Sequence, residues 1–270
     1  MNDTVLGKIA ASVQKRLDIR KELLGRDELE KRIDGARTPF SFRRAFPKNE
    51  MNAIAEIKFR SPALGTLKTV EEGTAIAIAN EYLGAGARAI SVLTEEDHFS
   101  GSPAYLRELR ATYPGALLLM KDFIIDEYQI LEARLNGADS ILLIVSLLGL
   151  KKTEAYLAFA KTLGLSTLIE VHDEAELKGA IPLNPDLVGI NNRNLKTLEV
   201  SLDVSRNLIQ TINPAMEIPL ISESGIKTSA EVRELRELGF SGCLVGSSLM
   251  GTVAPGEALR TILSEAGTKS

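Results

Sequence analysis

Ala116-Leu117-Leu118-Leu119-Met120-Lys121-Asp122-Phe123-Ile124 is an apolar run that stops on a lysine. A short apolar run bounded in this way reads as a buried strand. The pattern recurs along the chain. Ile54-Ala55 leads into Glu56 and Lys58, and Thr167-Leu168-Ile169 leads into Glu170. Leu187-Val188-Gly189-Ile190 leads into Asn191, and Ile218-Pro219-Leu220-Ile221 leads into Ser222-Glu223. A lone ionised group in a dry core costs roughly several kcal/mol after relaxation. A fold that repeatedly ends apolar strands in charge must gather those charges in one polar place. That place is the candidate active site.

Short apolar runs begin near Ile54, Ala89, Ala116, Ser140, Ser166, Leu187, Ile218 and Gly242, which makes eight candidate strands. Helical patterns fill most of the gaps: Val70–Gly84, Asp126–Asn136, Lys152–Leu163, Asp173–Ala180, Ser201–Ile212, Ser229–Leu238 and Gly256–Ser264. Glycines at 86, 115, 137, 164 and 239 suit helix-to-strand turns. Strands alternating with helices point to a parallel sheet, and eight is the number that closes a (β/α)₈ TIM barrel. A doubly wound dinucleotide fold would want Gly-x-Gly-x-x-Gly after the first strand. Lys58-Phe59-Arg60-Ser61-Pro62 stands there instead. Residues 5–34 read as one helix, with Val5, Ile9, Val13 and Leu17 near one face, and Phe40, Phe42 and Phe46 cluster before the first strand. The expectation is one barrel domain over residues 1–270, with residues 1–50 as a helical extension covering the active-site face.

Composition narrows the function. With 270 residues, 44% hydrophobic and 25% charged, the chain suits a soluble globular protein. No run of about 18 apolar residues exists, and no basic segment leads into an apolar core at the start, so neither a membrane span nor a secretory leader is expected. One cysteine, Cys243, excludes an internal disulfide, and two distant histidines, His98 and His172, make a zinc site a poor reading. A net charge of −4 gives no support for nucleic-acid binding. Residues 1–50 nevertheless carry 12 Lys and Arg against 8 Asp and Glu. That excess suits a solvated helix or a cover over an anionic ligand.

In a barrel, groups at the C-terminal strand ends converge on one face. Glu56 and Lys58 point the same way because strand side chains alternate. Lys121, Glu170, Asn191 and Glu223 come from four further strands. Mixed charges in a cleft tune pKa values toward acid–base work; the plainer alternative is a structural ion-pair network. A second lysine lowers a lysine's pKa and glutamates raise it, so Lys58, Lys121, Glu56 and Glu170 titrate as a set. Ser222-Glu223-Ser224-Gly225-Ile226 and Gly246-Ser247-Ser248 follow the seventh and eighth strands, where barrels bind phosphate through backbone N–H groups. His172 reads as a cap or a group orienting a neighbour. Asp122 reads as orienting Lys121 or capping a helix, Phe123 as stacking or packing, and Arg193 as meeting an anion or facing solvent.

These strings resemble the indole-3-glycerol phosphate synthase family. The segments that carry the resemblance are Ala55–Pro62, Ile90–Glu95, Lys121–Asp126, Gln129–Leu143, Leu168–His172, Gly189–Leu195, Ser222–Ile226 and Leu244–Met250. They cover nearly the whole chain in order. The resemblance implies conversion of 1-(2-carboxyphenylamino)-1-deoxyribulose 5-phosphate to indole-3-glycerol phosphate, without metal or organic cofactor. It implies Lys121 as general acid, Glu170 as general base, and Lys58 on the substrate carboxylate and in the dehydration. Glu56 would hold the lysines, and Asn191 and Glu223 would contact substrate hydroxyls or the lysines. It implies Phe123, Arg193, Leu195 and Leu244 around the substrate, and Ser61, Ser224, Gly225, Gly246 and Ser247 around the phosphate. The partner is then a phosphorylated small molecule, not nucleic acid or membrane, and the protein a cytoplasmic monomer or weak homo-oligomer.

Ala63 departs from the family, where many members carry serine after Ser-Pro; Ser247-Ser248 is within its range. Phosphoribosyl isomerases and the tryptophan synthase α subunit share phosphate loops but lack the combined Glu-x-Lys, Lys-Asp-Phe and Glu-Val-His set. A non-catalytic barrel would be expected to have lost part of that set.

Overall fold

The computed structural model describes residues 4–48, 50–213 and 215–264. Eight parallel strands close into a barrel: β1 (Asn52–Ile57), β2 (Ala89–Leu93), β3 (Leu118–Lys121), β4 (Ser140–Ile144), β5 (Ser166–Val171), β6 (Leu187–Asn191), β7 (Leu220–Glu223) and β8 (Gly242–Val245). Each strand pairs with its sequence neighbours, and β1 closes on β8 with Ala55 opposite Val245.

Alternation along the strands separates two cores. Ile54, Ala89, Leu119, Leu142, Leu168, Leu187, Ile221 and Leu244, one from each strand, form an inner cluster. Ala55, Ile90, Met120, Ile141, Ile169, Val188 and Val245 turn outward into the larger cluster beneath the helices. Two residues beyond the inner-facing Ile54, Leu119, Leu168 and Ile221 stand Glu56, Lys121, Glu170 and Glu223. The period of two thus carries the inner face from hydrocarbon to charge at the barrel's upper rim.

The helices α1 (Val5–Leu23), α2 (Arg26–Ile33) and α3 (Phe42–Ala45) precede the barrel. The single helix expected over residues 5–34 is broken at Leu24-Gly25, where both residues adopt extended dihedrals. The outer helices are α4 (Thr74–Gly84), α5 (Glu96–Phe99), α6 (Pro103–Thr112), α7 (Glu127–Leu135), α8 (Val145–Thr162), α9 (Glu174–Ala180), α10 (Asp203–Ile209), α11 (Ser229–Leu238), α12 (Ser247–Met250) and α13 (Pro255–Leu263). The first of these starts later than the expected Val70, because Gly73 takes φ 79° immediately before it. A further difference is α8, which begins seven residues before the expected Lys152 and kinks at Gly149.

The N-terminal extension runs from one end of the barrel to the other. Near the C-terminal strand ends, α1 packs on the segments after β2 and β3: Arg16 pairs with Glu96 and Asp97, and Lys21 Nζ lies 2.6 Å from Asp126. Leu17 and Leu29 bury against Tyr128 and Leu131 of α7. At the opposite end, Phe42 and Phe46 join the inner cluster and close the barrel floor. Phe42 N–H donates to Ser166 Oγ at the start of β5 (3.1 Å). Buried Asp139 holds the connecting stretch by accepting from Phe40 N–H (2.8 Å), Arg37 and Arg110. The cover expected from residues 1–50 is therefore divided: α1 flanks the C-terminal strand ends, and α3 plugs the far end. No helix among the described residues is long and apolar enough to cross a membrane.

Candidate active site

A cavity of about 940 Å³ opens at the C-terminal strand ends, a size that suits a small-molecule ligand. Its floor is a charged cluster. Lys121 Nζ reaches Glu223 Oε2 at 2.7 Å, Glu56 Oε2 at 3.7 Å and Glu170 Oε2 at 3.9 Å. Lys58 Nζ donates to Glu56 Oε1 at 2.5 Å. Two lysines and three glutamates from four strands thus meet as one unit.

Two glycines make this packing possible. A Cβ on Gly246 would overlap Glu56 Oε1, and one on Gly189 would overlap Glu223 Oε1. Neither glycine has a positive φ, so it is the missing side chain that matters at both positions.

The charges set one another's proton affinities. Burial of Lys121 disfavours its charged form, but Glu223, Glu56 and Glu170 outweigh that and raise its pKa above the ordinary lysine value. Burial of Glu56 acts against the carboxylate, and Lys58 and Lys121 reverse it to a net lowering. Glu170 is likewise opposed by burial, yet His172, Lys121 and Asn191 hold it down at about 2. Glu223 goes the other way: burial, with Glu170 and Glu56 nearby, overcomes Lys121 and pushes it up to about 7. Its Oε1 is buried with no hydrogen-bond partner. Carboxylates this close cannot all ionise at ordinary cost, so their environments drive them apart.

Around the floor the walls divide. Leu93, Phe99, Phe123, Leu142, Ile144, Leu195 and Leu244 form the apolar part, with Phe99 and Phe123 ring centroids 5.7 Å apart. Arg193 lines the cavity near Asn191, whose Oδ1 accepts Arg193 N–H at 3.0 Å. Ser224, Gly225, Gly246, Ser247 and Ser248 form a polar corner. Ser224 and Gly225 both take left-handed φ, 67° and 88°. Ser248 Oγ donates to Ile226 carbonyl at 2.8 Å, tying the two loops together. The backbone N–H groups of Gly225, Gly246 and Ser247 find no acceptor among the described residues. N–H groups left without an acceptor at glycine turns and helix starts are suited to anions. Ser61 does not line the cavity: it is buried in the turn after β1, where its Oγ accepts Leu64 N–H at 3.2 Å. Ala63, the departure from the family pattern, lines the cavity beside it.

One neighbouring residue has other work than orienting Lys121. Asp122 does not reach Lys121; its buried carboxylate accepts from Thr94 Oγ1 and Phe123 N–H. Sequence reasoning passed over Asn192. Buried next to Asn191, it donates to Ser222 Oγ, Glu223 carbonyl and Ser224 carbonyl and accepts Ser205 N–H. It thereby fixes the β7 end and its loop. Nothing in Asn191-Asn192 tells which amide faces the cavity, although strand alternation separates them once the register is known. Leu142, Ile144 and Phe99 were also missed, because an apolar wall residue looks like core. Among the described residues no group of three or more His, Cys, Asp or Glu is arranged to hold a metal ion.

Fold and site together define a (β/α)₈ barrel with a buried cluster of lysines and glutamates, an apolar wall and a serine- and glycine-rich corner in one cavity. The barrel itself is shared widely. The chain superposes on 3-hexulose-6-phosphate synthase from Salmonella typhimurium with TM-score 0.65 at 15% identity, over 80% of this chain and 98% of that one. That likeness is one of fold. The sequence is more specific. The model of the indole-3-glycerol phosphate synthase family matches residues 6–262. The synthase of Ruminiclostridium cellulolyticum is 41% identical over 266 residues, 97% of this chain and 100% of that protein. That of Polaromonas sp. is 47% identical over 206 residues, 76% of each chain. The chain belongs to the indole-3-glycerol phosphate synthase family.

Proposed function

We propose that the chain closes the indole ring of 1-(2-carboxyphenylamino)-1-deoxyribulose 5-phosphate, releasing carbon dioxide and water to give indole-3-glycerol phosphate for tryptophan biosynthesis. One observation supports the reading: Lys121, within 4 Å of three buried carboxylates, shares one cavity with an apolar wall and with a corner of N–H groups that have no acceptor among the described residues. An aromatic ring, a polar chain and a phosphate need these three surroundings in one cavity.

The phosphate anchors at Gly225, Gly246 and Ser247, with Ser224 beside it. Ser61 serves this end by shaping the turn that presents Ala63 and Leu64. The aromatic ring lies against Phe123, Leu195 and Leu244, and its carboxylate meets Lys58 and Arg193. The substrate carbonyl reaches Lys121, which donates a proton to the oxygen as the ring carbon bearing the carboxylate attacks. The new carbon–carbon bond forms, carbon dioxide leaves, and its bonding electrons restore the aromatic ring. Lys58 then protonates the departing hydroxyl, Glu170 accepts a proton, and water leaves.

Coupling makes the cluster suited to this sequence. Glu170 is a weak base while Lys121 is charged, since Lys121 helps to hold its pKa down. Once Lys121 has given up its proton, that attraction disappears and Glu170 becomes more basic. The acid step thus prepares the base step. Glu56 and Glu223 restore the lysines to their charged forms for the next turnover, and Asn191 holds the Arg193 segment.

All of these side chains belong to one chain, which favours a monomer or weak homo-oligomer, and the reaction suits the cytoplasm. Incubation with the carboxyphenylamino-deoxyribulose phosphate should produce indole fluorescence together with one carbon dioxide per product. Well-folded protein that gives neither would overturn the reading.

A further inference from the structure

His172 stands directly behind the proposed base. Its Nε2 lies 3.2 Å from Glu170 Oε1, and its Nδ1 lies 3.3 Å from Glu176 Oε2. The same Glu176 oxygen accepts His172 backbone N–H at 2.8 Å. The imidazole is thus held between a carboxylate at the end of β5 and a carboxylate in the first turn of α9. Its Nε2 is buried and has no partner in hydrogen-bond geometry, so its contact with Glu170 Oε1 is one of charge and proximity. His172 is not part of the cavity wall, so it does not touch substrate.

We propose that His172 and Glu176 form a positioning relay that keeps an imidazolium behind Glu170 and sets the pH range over which Glu170 works as a base. The proposal rests on the reading of Glu170 as that base. Two geometric features support it. Glu176 fixes the ring from both the backbone and the side chain. The ring presents Nε2 to the Glu170 oxygen that Lys121 does not approach, since Lys121 faces Oε2 and His172 faces Oε1. Glu170 is therefore held between two cations, one on the reacting side and one behind.

The groups that face this relay are few. Glu170 and Glu176 flank the ring, and Lys121 from β3 and Asn191 from β6 act on Glu170. Glu56 and Glu223 lie beyond Lys121. Burial favours a neutral ring, but the two carboxylates overcome it and push His172 up to about 10. The cation behind Glu170 is then permanent near neutrality, whereas the one in front comes and goes with catalysis. A permanent cation keeps Glu170 ionised and oriented; a transient one modulates its strength.

The test begins with the charge of His172. The chain has two histidines, His98 and His172, so imidazole ¹H–¹⁵N spectra of the whole protein are assigned by His98→Gln alone. The expected result is an imidazolium at His172 at about pH 7.5; a neutral ring there overturns the proposal. The second reading is kinetic. Without the rear cation Glu170 becomes easier to protonate, so its basic form is lost at higher pH. The acid limb of kcat in His172→Gln should move up by about 1–3 pH units, the usual effect of one close opposite charge. KM should stay near the parent value, and Glu176→Gln should move the limb in the same direction by less. A folded variant of either kind with an unmoved limb contradicts the relay. Glu170→Gln separates the two layers: if it retains turnover the base assignment fails, while the spectra still decide the charge of His172.

Discussion

Gly246 and Glu56 pack against each other across the seam between β8 and β1: a Cβ on the glycine would overlap Glu56 Oε1 and stand 3.0 Å from its Cδ. Gly246 therefore has two duties. Its N–H, without an acceptor among the described residues, belongs to the proposed phosphate corner, and its missing side chain leaves room for the carboxylate that pairs with both lysines.

Gly246→Ala should accordingly damage the chemistry as well as phosphate binding. Glu56 must move, and Lys58 and Lys121 move with it. Misplacement of catalytic groups by about 1 Å costs on the order of 10²-fold in rate. Steady-state kinetics separates the duties: kcat should fall together with a rise in KM. A rise in KM alone would mean that Glu56 adjusts freely and that the glycine serves only the anion.

Inorganic phosphate or sulfate should compete with substrate if the N–H groups of Gly225, Gly246 and Ser247 form one site. The pattern expected is a raised apparent KM with unchanged kcat at saturation. Non-competitive inhibition, or anion density away from the two loops in a soaked crystal, would place the phosphate elsewhere.

Buried Glu223 links the site to stability. Its folded pKa of about 7 stands above the ordinary 4.5, so the folded state holds more protons than the unfolded state between those values. Its contribution is fully present below pH 4.5 and is lost as pH rises toward about 7. The fold should therefore lose more denaturant resistance between about pH 5 and 8 than Glu223→Gln does. Equal losses in the two proteins would show that Glu223 does not titrate there. The window of Glu170 lies lower, between 4.5 and about 2, so it does not interfere.

Asp139 is the anchor of the extension. It is fully buried and accepts from Arg37, Arg110, Phe40 N–H and Leu118 N–H. Asp139→Ala leaves the guanidinium groups without their partner, a change that costs about 3–5 kcal/mol for a buried pair. Chemical denaturation should show that loss; one below about 1 kcal/mol would show that solvent or other groups replace the carboxylate.

The legible part of this molecule was the part governed by local rules. Glu56, Lys121, Glu170 and Glu223 were visible because a charge at the end of an apolar strand has nowhere else to go than a polar rim. The eight strands followed from the same runs, although β3 and β7 start two residues later than Ala116 and Ile218. Helix α6 went unread even though Ser102 followed by Pro103 is a start signal. What stayed hidden depended on partners far away in sequence. Phe42 and Phe46 reveal a floor plug only when the barrel they close is known. Gly189 looks like an ordinary strand residue, and Gly246 like a phosphate-turn glycine only, until Glu223 and Glu56 are placed beside them. Arg37 and Asp139 meet across 102 positions, beyond any periodicity.

The central claim is that Lys121 supplies the proton for ring closure, and single-turnover indole fluorescence of Lys121→Ala tests it most directly. General acids and bases contribute typically about 10²–10⁴-fold, so product formation at saturating substrate should slow by that range while the circular dichroism of the barrel is retained. A folded Lys121→Ala protein that turns over within a factor of about three of the parent would contradict it.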